Sequence, residues 1–388
     1  MALKTSYLAN HVRTLKPSGI RRFFDATAGM TGVISLGVGE PDFVTPWNVR
    51  EAAIQSLEDG YTSYTANAGI PALREEIANY MNDYFCVSYK PESEIIVTVG
   101  ASEAIDIALR AILNPGEEVL VVEPCFVSYA PLVTMAGGVP VTVQASAENQ
   151  FKIHPEQLER AVTDRTKAIM ICSPNNPTGA MLSREEMLRI AAFAKAHDLL
   201  ILSDEIYAEL VYDDIYTSFA ALEGMRERTI LVSGFSKDLA MTGWRLGFVC
   251  APEEITQGML KIHQYAIMCA STMAQHAGLE GLKNGRKDVN EMRKSYRQRR
   301  NYIVESLNEM GLSCHRPEGA FYTFPSIRST GLSSEDFAHR LLENEKVVVV
   351  PGNAFGESGE GYVRCSYATS MAQLQEAMTR MRRFIAQL

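Results

Sequence analysis

Between residues 94 and 249 the chain repeats one pattern: a short apolar run, a turn, a helical segment and another apolar run. The runs fall at 95–99, 118–122, 140–143, 168–172, 199–203, 230–232 and 246–250. Most are nearly continuous stretches of Val, Ile and Leu, which suits strands buried on both faces. Segments at 102–113, 126–136 and 183–197 carry apolar residues at helical spacing and fit between the runs. Strand, helix and strand in repetition predicts an α/β fold with a mainly parallel, seven-stranded sheet sandwiched by helices. Sheets of this kind take ligands just beyond the carboxyl ends of their strands.

Outside that region the pattern changes. Helices are expected at 46–59 and 71–84, and a polar N-terminal arm with a short helix occupies residues 1 to about 30. After Pro252 the chain turns helical, with a long charged segment at 288–310. Strands are then expected at 318–324, 347–350 and 361–366, and helices at 333–344 and 371–386. At 388 residues the chain exceeds the usual size of one domain. We therefore expect a large domain at 46–285 and a smaller α+β domain at 286–388, completed by the arm and strand of residues 1–45.

A net charge of −9 argues against nucleic acid or an anionic membrane as partner, so any anion site must be a local arrangement. No apolar run approaches the length of a bilayer span, and the N-terminus lacks an apolar core with a cleavage pattern. A cytoplasmic location is the default expectation. The seven cysteines are scattered without a CxxC pair, and several sit in apolar runs, which predicts reduced, buried thiols. No HExxH or HxxxH spacing occurs, so no metal site is expected. The Gly37-Val38-Gly39 segment is not a dinucleotide fingerprint, because Pro41 and Asp42 stand where a helix would begin and the third glycine is missing.

The residues beyond the expected strand ends are more informative. Gly100-Ala101-Ser102-Glu103 is a small-residue turn into a helix, with Ser102 as the expected N-cap; backbone N–H groups there suit a phosphate. Phe126 brings an aromatic ring close by. Ser173-Pro174-Asn175-Asn176-Pro177-Thr178-Gly179 is a rigid turn that holds an amide in place. Asp204 ends an apolar strand, where a carboxylate is costly without a cationic or hydrogen-bonding partner, and Tyr207 follows one turn on. Finally, Gly234-Phe235-Ser236-Lys237 puts a lysine just past a strand, with Arg245 eight positions later. A lone loop lysine is usually a solvated charge. The set is different: a phosphate cradle, a stacking ring, an amide, a carboxylate, a phenol, an imine-forming lysine and an arginine together suit pyridoxal phosphate.

From about residue 17 to the C-terminus the chain resembles the class I/II, fold-type I pyridoxal-phosphate aminotransferases. Gly234 to Gly247 is similar to that family's lysine-site signature, and Asn176-Pro177-Thr178-Gly179 to its NPTG turn. The resemblance implies that Lys237 bonds the cofactor aldehyde and then shuttles the proton between substrate Cα and cofactor C4′. It implies that Asp204 pairs with the pyridinium nitrogen and that Asn176 and Tyr207 bond the ring's O3′. Gly100, Ala101, Ser102 and Arg245 would hold the phosphate, with Phe126 stacked on the ring. Arg364 would grip the substrate α-carboxylate, assisted by the backbone at Gly39, and Asn176 would also face the substrate. Tyr64 resembles the tyrosine that reaches the phosphate of a neighbouring subunit, which implies a homodimer with shared active sites. Many relatives have a phosphate-binding serine where Gly234 stands, so Ser236 is expected to supply the hydroxyl.

The function implied is transamination from an L-amino acid of aspartate, aromatic or N-acetyl-diaminopimelate type to a 2-oxo acid such as 2-oxoglutarate. A β-lyase or carbon–sulfur lyase on the same scaffold, or a non-catalytic ligand-binding relative, are the alternatives. Arg21, Arg22 and Arg293 are candidates, by residue type alone, for a distal substrate carboxylate, and residues 20–24 for a lid.

Overall fold

The computed structural model describes residues 7–15, 17 and 30–388. Twelve strands are described: β1 (Ile34–Ser35), β2 (Ile95–Thr98), β3 (Glu118–Glu123), β4 (Val139–Gln144), β5 (Thr166–Cys172), β6 (Leu200–Asp204), β7 (Thr229–Gly234), β8 (Gly247–Cys250), β9 (Tyr322–Thr323), β10 (Val347–Val348), β11 (Val350–Pro351) and β12 (Val363–Ser366). Seven of them form one sheet in the order β2-β8-β7-β6-β5-β3-β4. All its pairings are parallel except those of β8, which runs antiparallel to both β2 and β7.

That one reversal organises the molecule. The parallel strands bring Cys172 opposite Asp204 and Asp204 opposite Val232, so their carboxyl ends share an edge. Because β8 runs the other way, its first residue, Gly247, lies at the same edge, opposite both Gly234 and Thr98. The residues just before β8 and just after β2 and β7 therefore converge: Arg245, Gly100 and Lys237 belong to one place.

The strands form because both faces are covered. Val97, Leu120, Val121, Ile169, Ile201, Leu202, Leu231 and Val249 are buried almost completely. Each such aliphatic side chain contributes about 1.5–3 kcal/mol relative to exposure. Two of the helices begin where the sequence supplies a start signal. Helix Arg184–Ala196 opens on a capping box, with Ser183 Oγ accepting from Glu186 N at 3.3 Å and Glu186 Oε2 accepting from Ser183 N at 2.7 Å. Helix Pro71–Phe85 starts on its proline.

In the C-terminal region β12 lies between β11 and β9 in a small antiparallel sheet, and β1 pairs in parallel with β10. Helices Arg286–Glu309, Ser334–Glu345 and Met371–Ile385 bury Tyr296, Phe337, Leu341 and Phe384 there. Phe337 meets Phe384 edge to face at 5.4 Å.

Several expectations need correction. The strand expected at 318–324 is cut to Tyr322–Thr323, because residues 318–320 bond the 210–212 segment instead: Tyr212 N donates to Glu318 O and Ala320 N to Leu210 O. Ala320, with φ +58°, then turns the chain into β9. The run at 347–350 divides between two sheets as β10 and β11. The helix expected from 126 begins only at Tyr129. Ser102 is not an N-cap, since its helix already starts at Gly100. All seven cysteines are free, but Cys86 is exposed and Cys269 only partly covered.

Candidate active site

A cavity of about 460 Å³ lies at the carboxyl edge of the large sheet, its lining shared with Arg364 of β12 and with Gly37, Gly39 and Glu40. Of the residues singled out in the sequence, it is lined by Gly39, Ala101, Ser102, Phe126, Asn176, Asp204, Tyr207, Ser236, Lys237, Arg245 and Arg364.

Lys237 stands three residues past β7. Its approach is fixed by Gly234, where an added Cβ would lie 2.7 Å from Gly247 Cα and 3.0 Å from Leu246 O. A side chain there would have to displace the backbone of the neighbouring strand. Lys237 Nζ donates to Gly39 O at 2.6 Å and lies 5.9 Å and 5.7 Å from the ring centroids of Tyr207 and Phe321. Burial brings its amine down to about pKa 8; Arg364 and Arg245 act in the same direction, while Glu40 and Asp204 oppose it.

Asp204 is the last residue of β6 and is buried. Its Oδ2 accepts from Tyr129 Oη–H at 2.6 Å and its Oδ1 from Ile206 N at 3.2 Å. Burial raises the pKa of this carboxyl, and the two hydrogen bonds and Lys237 hold it back. Tyr207 shares a hydrogen bond of 3.0 Å with Tyr322.

Asn176 is set by its turn. Asn175 Oδ1 accepts from Thr178 N at 3.2 Å and Thr178 Oγ at 3.0 Å, and Gly179, with φ +70°, packs so closely on Pro317 that a Cβ would sit 2.5 Å from it. Asn176 Oδ1 accepts from Arg364 Nη1 at 3.0 Å. Arg364 Nη2 donates to Gly37 O at 2.6 Å, and the guanidinium lies 4.5 Å and 4.8 Å from the ring centroids of Tyr322 and Phe355. Its Nε is buried and has no hydrogen-bond partner. A buried donor left open costs about 1–3 kcal/mol.

Arg245 sits in a left-handed turn with φ +52° and donates from Nη1 to Thr242 O at 3.1 Å. Its guanidinium lies against Gly100, where a Cβ would come within 2.7 Å of Nη2. Gly100 thus backs the cradle without lining the cavity. Phe126 meets Tyr129 edge to face at 5.7 Å.

Tyr64 is elsewhere. It is 80% exposed and outside the cavity. Arg293 donates to Asn290 on its own helix and does not line the cavity. Arg21, Arg22 and the 20–24 segment lie outside the described residues.

Sequence reasoning missed Tyr129, Tyr322, Glu40 and Thr242, all of which line the cavity. Tyr129 follows Phe126 by three positions, a spacing that could have flagged it. Tyr322 was hidden in an apolar run that reads simply as strand. Among the described residues no group of three or more His, Cys, Asp or Glu side chains could hold a metal ion, and no helix is long and apolar enough to cross a membrane.

The comparisons with known proteins agree with this geometry. The family model for aminotransferase class I and II matches residues 31–381. YugH, a Bacillus subtilis (strain 168) protein named as an aminotransferase, is 66% identical over 98% of this chain and 99% of its own length. The aspartate aminotransferase of Pyrococcus abyssi is 49% identical over 97% of this chain and 98% of its own. The solved aromatic aminotransferase of Pyrococcus horikoshii OT3 superposes with a TM-score of 0.90 at 47% identity, covering 95% of this chain and 99% of that one. The chain belongs to the class I and II aminotransferases, with their fold-type I architecture. It is an enzyme of amino-group transfer.

Proposed function

We propose that the cavity holds pyridoxal 5′-phosphate and transfers the amino group of an L-amino acid to a 2-oxo acid. The residues present fit that cofactor. Arg245 has no ion-pair partner among the described residues, and a side chain at Gly100 would collide with it, which leaves the helix start and the guanidinium free for a phosphate. Asp204 offers a buried carboxylate suited to a protonated ring nitrogen, and Asn176 and Tyr207 offer polar groups for a ring hydroxyl. When bound, the cofactor supplies an aldehyde that bonds amines and a ring that accepts the electrons left at the substrate Cα.

The chain's own residues do the rest. Arg364 orients the substrate by its α-carboxylate, and the single observation that carries this reading is its buried, unpartnered Nε on the wall shared with Lys237. With Nη1 on Asn176 and Nη2 on Gly37, the guanidinium plane is fixed before substrate arrives. Lys237 Nζ then takes and returns the proton at the substrate Cα; an amine near pKa 8 is partly free base at neutral pH. Phe126 would cover one face of the cofactor ring, and Ser102 and Ser236, which also line the cavity, would hold its phosphate. The backbone at Gly39, whose oxygen accepts from Lys237 Nζ, would assist Arg364 in holding the substrate.

The donor fits the aspartate, aromatic or N-acetyl-diaminopimelate type, with 2-oxoglutarate as acceptor, in keeping with the names of the relatives. Exposed Tyr64 suits a homodimer in which it serves the neighbouring copy's phosphate. The unit at 46–285 would carry the cofactor and the one at 286–388, with residues 1–45, would bring Arg364 over it, in a cytoplasmic enzyme with reduced thiols. A half-reaction screen tests the proposal: the protein loaded with pyridoxal phosphate is mixed with each amino acid and its spectrum followed. Conversion to the pyridoxamine form by at least one donor, reversed by 2-oxoglutarate, is expected. Pyruvate and ammonia released without any acceptor would mean lyase chemistry instead.

A further inference from the structure

His263 is wholly buried on helix Glu253–Ala266, away from the cavity lining, and yet both of its ring nitrogens are engaged. Its Nε2 lies 2.9 Å from the backbone oxygen of Asn67, a group that can only accept, so Nε2 is the donor. Its Nδ1 lies 2.6 Å from Glu103 Oε1. The other oxygen, Glu103 Oε2, accepts from Val99 N at 2.5 Å. One continuous chain of hydrogen bonds therefore runs from Asn67 through His263 and Glu103 to Val99.

The two ends of that chain matter. Val99 directly precedes Gly100, where φ of +74° turns the backbone into the helix whose residues Ala101 and Ser102 line the cavity. Asn67 belongs to the loop that carries Tyr64. That loop is pinned from within: Thr272 Oγ donates to Ser63 O at 2.8 Å, Gln275 Nε2 to Thr65 Oγ at 3.1 Å, Ile70 N to Gln275 Oε1 at 2.8 Å, and Asn67 Nδ2 to Met268 O at 2.7 Å. Between Ser63 and Thr65, both so held, the Tyr64 side chain projects into solvent.

We propose that His263 is a positioning residue for phosphate recognition. Through Glu103 it sets the helix start at its own cavity, and through Asn67 it sets the loop that presents Tyr64 to the neighbouring copy. The inference rests on the pyridoxal-phosphate homodimer reading above. One buried imidazole thus ties together two halves of phosphate binding that act in different subunits.

The test separates phosphate recognition from plain core packing by comparing two probes, pyridoxal 5′-phosphate and phosphate-free pyridoxal, on the full-length chain. His263→Phe removes both arms. An asparagine amide falls near Nδ1 and a glutamine amide near Nε2, so His263→Asn keeps the Glu103 arm and His263→Gln the Asn67 arm. The preference for the phosphorylated probe should fall about tenfold in His263→Phe and by less in each single-arm variant, with pyridoxal affinity unchanged. Adding Tyr64→Phe should cost nothing further in His263→Asn but its full effect in His263→Gln. If His263→Phe does not fold, the other two variants decide the matter. An unchanged preference in folded variants, or equal losses for both probes, would overturn the positioning role. A wild-type chain with no preference for the phosphorylated probe would instead remove the cofactor reading, and this inference with it.

Discussion

The two arginines of the cavity share a charge and differ in almost everything else. Arg364 comes from the middle strand of the small antiparallel sheet, is 2% exposed, and has its fork fixed by Asn176 and Gly37 between two aromatic rings. Arg245 stands in a left-handed turn at the cavity rim, is exposed, and has one backbone acceptor at Thr242 O. A buried, rigid guanidinium recognises a planar carboxylate by geometry, and loses heavily if shortened. An exposed one beside a helix start would add charge to a phosphate site in which backbone donors share the work. The difference predicts which partner each arginine serves: the substrate that comes and goes at the fixed end, the resident cofactor at the other.

That contrast can be broken experimentally. Arg364→Leu should lower kcat/KM for amino acids by about 10²–10⁴-fold while cofactor affinity holds, since it empties a buried charge site. Arg245→Gln should do the reverse, weakening pyridoxal phosphate binding by about 10–100-fold with little change in amino-acid KM once the site is saturated. If both variants failed in the same parameter, the division of labour would be wrong. Gly234→Ser tests the strand junction beneath Lys237: a side chain colliding with Gly247 should cost about 1–3 kcal/mol, read as a lower denaturant midpoint. A tolerated serine would mean that β7 and β8 are less closely packed than described. The smallest effect belongs to Tyr64→Phe, expected to weaken cofactor binding about fivefold without touching amino-acid KM, through loss of a single hydrogen bond.

The pH profile sharpens the account of Lys237. Burial disfavours its charged form, so the free base that bonds an aldehyde appears at lower pH than in an ordinary lysine. The rate of cofactor uptake should therefore rise with pH through a midpoint near 8. A midpoint in the usual range for a solvated lysine would contradict its enclosure.

Much of this was legible in the sequence because strand alternation and short rigid turns are local signals. The expected run at 168–172 lies within β5, and the run at 118–122 within β3. Asp204, Asn176 and Lys237 were found because each follows a recognisable strand end. Tyr129 and Tyr322 were not, because their importance lies in distant partners: Tyr129 reaches Asp204 across 75 positions and Tyr322 reaches Tyr207 across 115. The division of 347–350 between two sheets was equally hidden, since four consecutive valines carry no mark of where their hydrogen-bond partner changes. The Ser102 cap failed for a different reason. Glycine at 100 let the helix begin two residues early, and Glu103, not Ser102, took the free amide of Val99.

The central claim is that Lys237 is the amine to which the cofactor bonds. Loading the full chain with pyridoxal phosphate, reducing with borohydride and mapping the labelled peptides by mass spectrometry tests it directly. The account predicts one phosphopyridoxyl group, on Lys237 alone. A label on another lysine, or no label in a protein that still transfers amino groups, would contradict it.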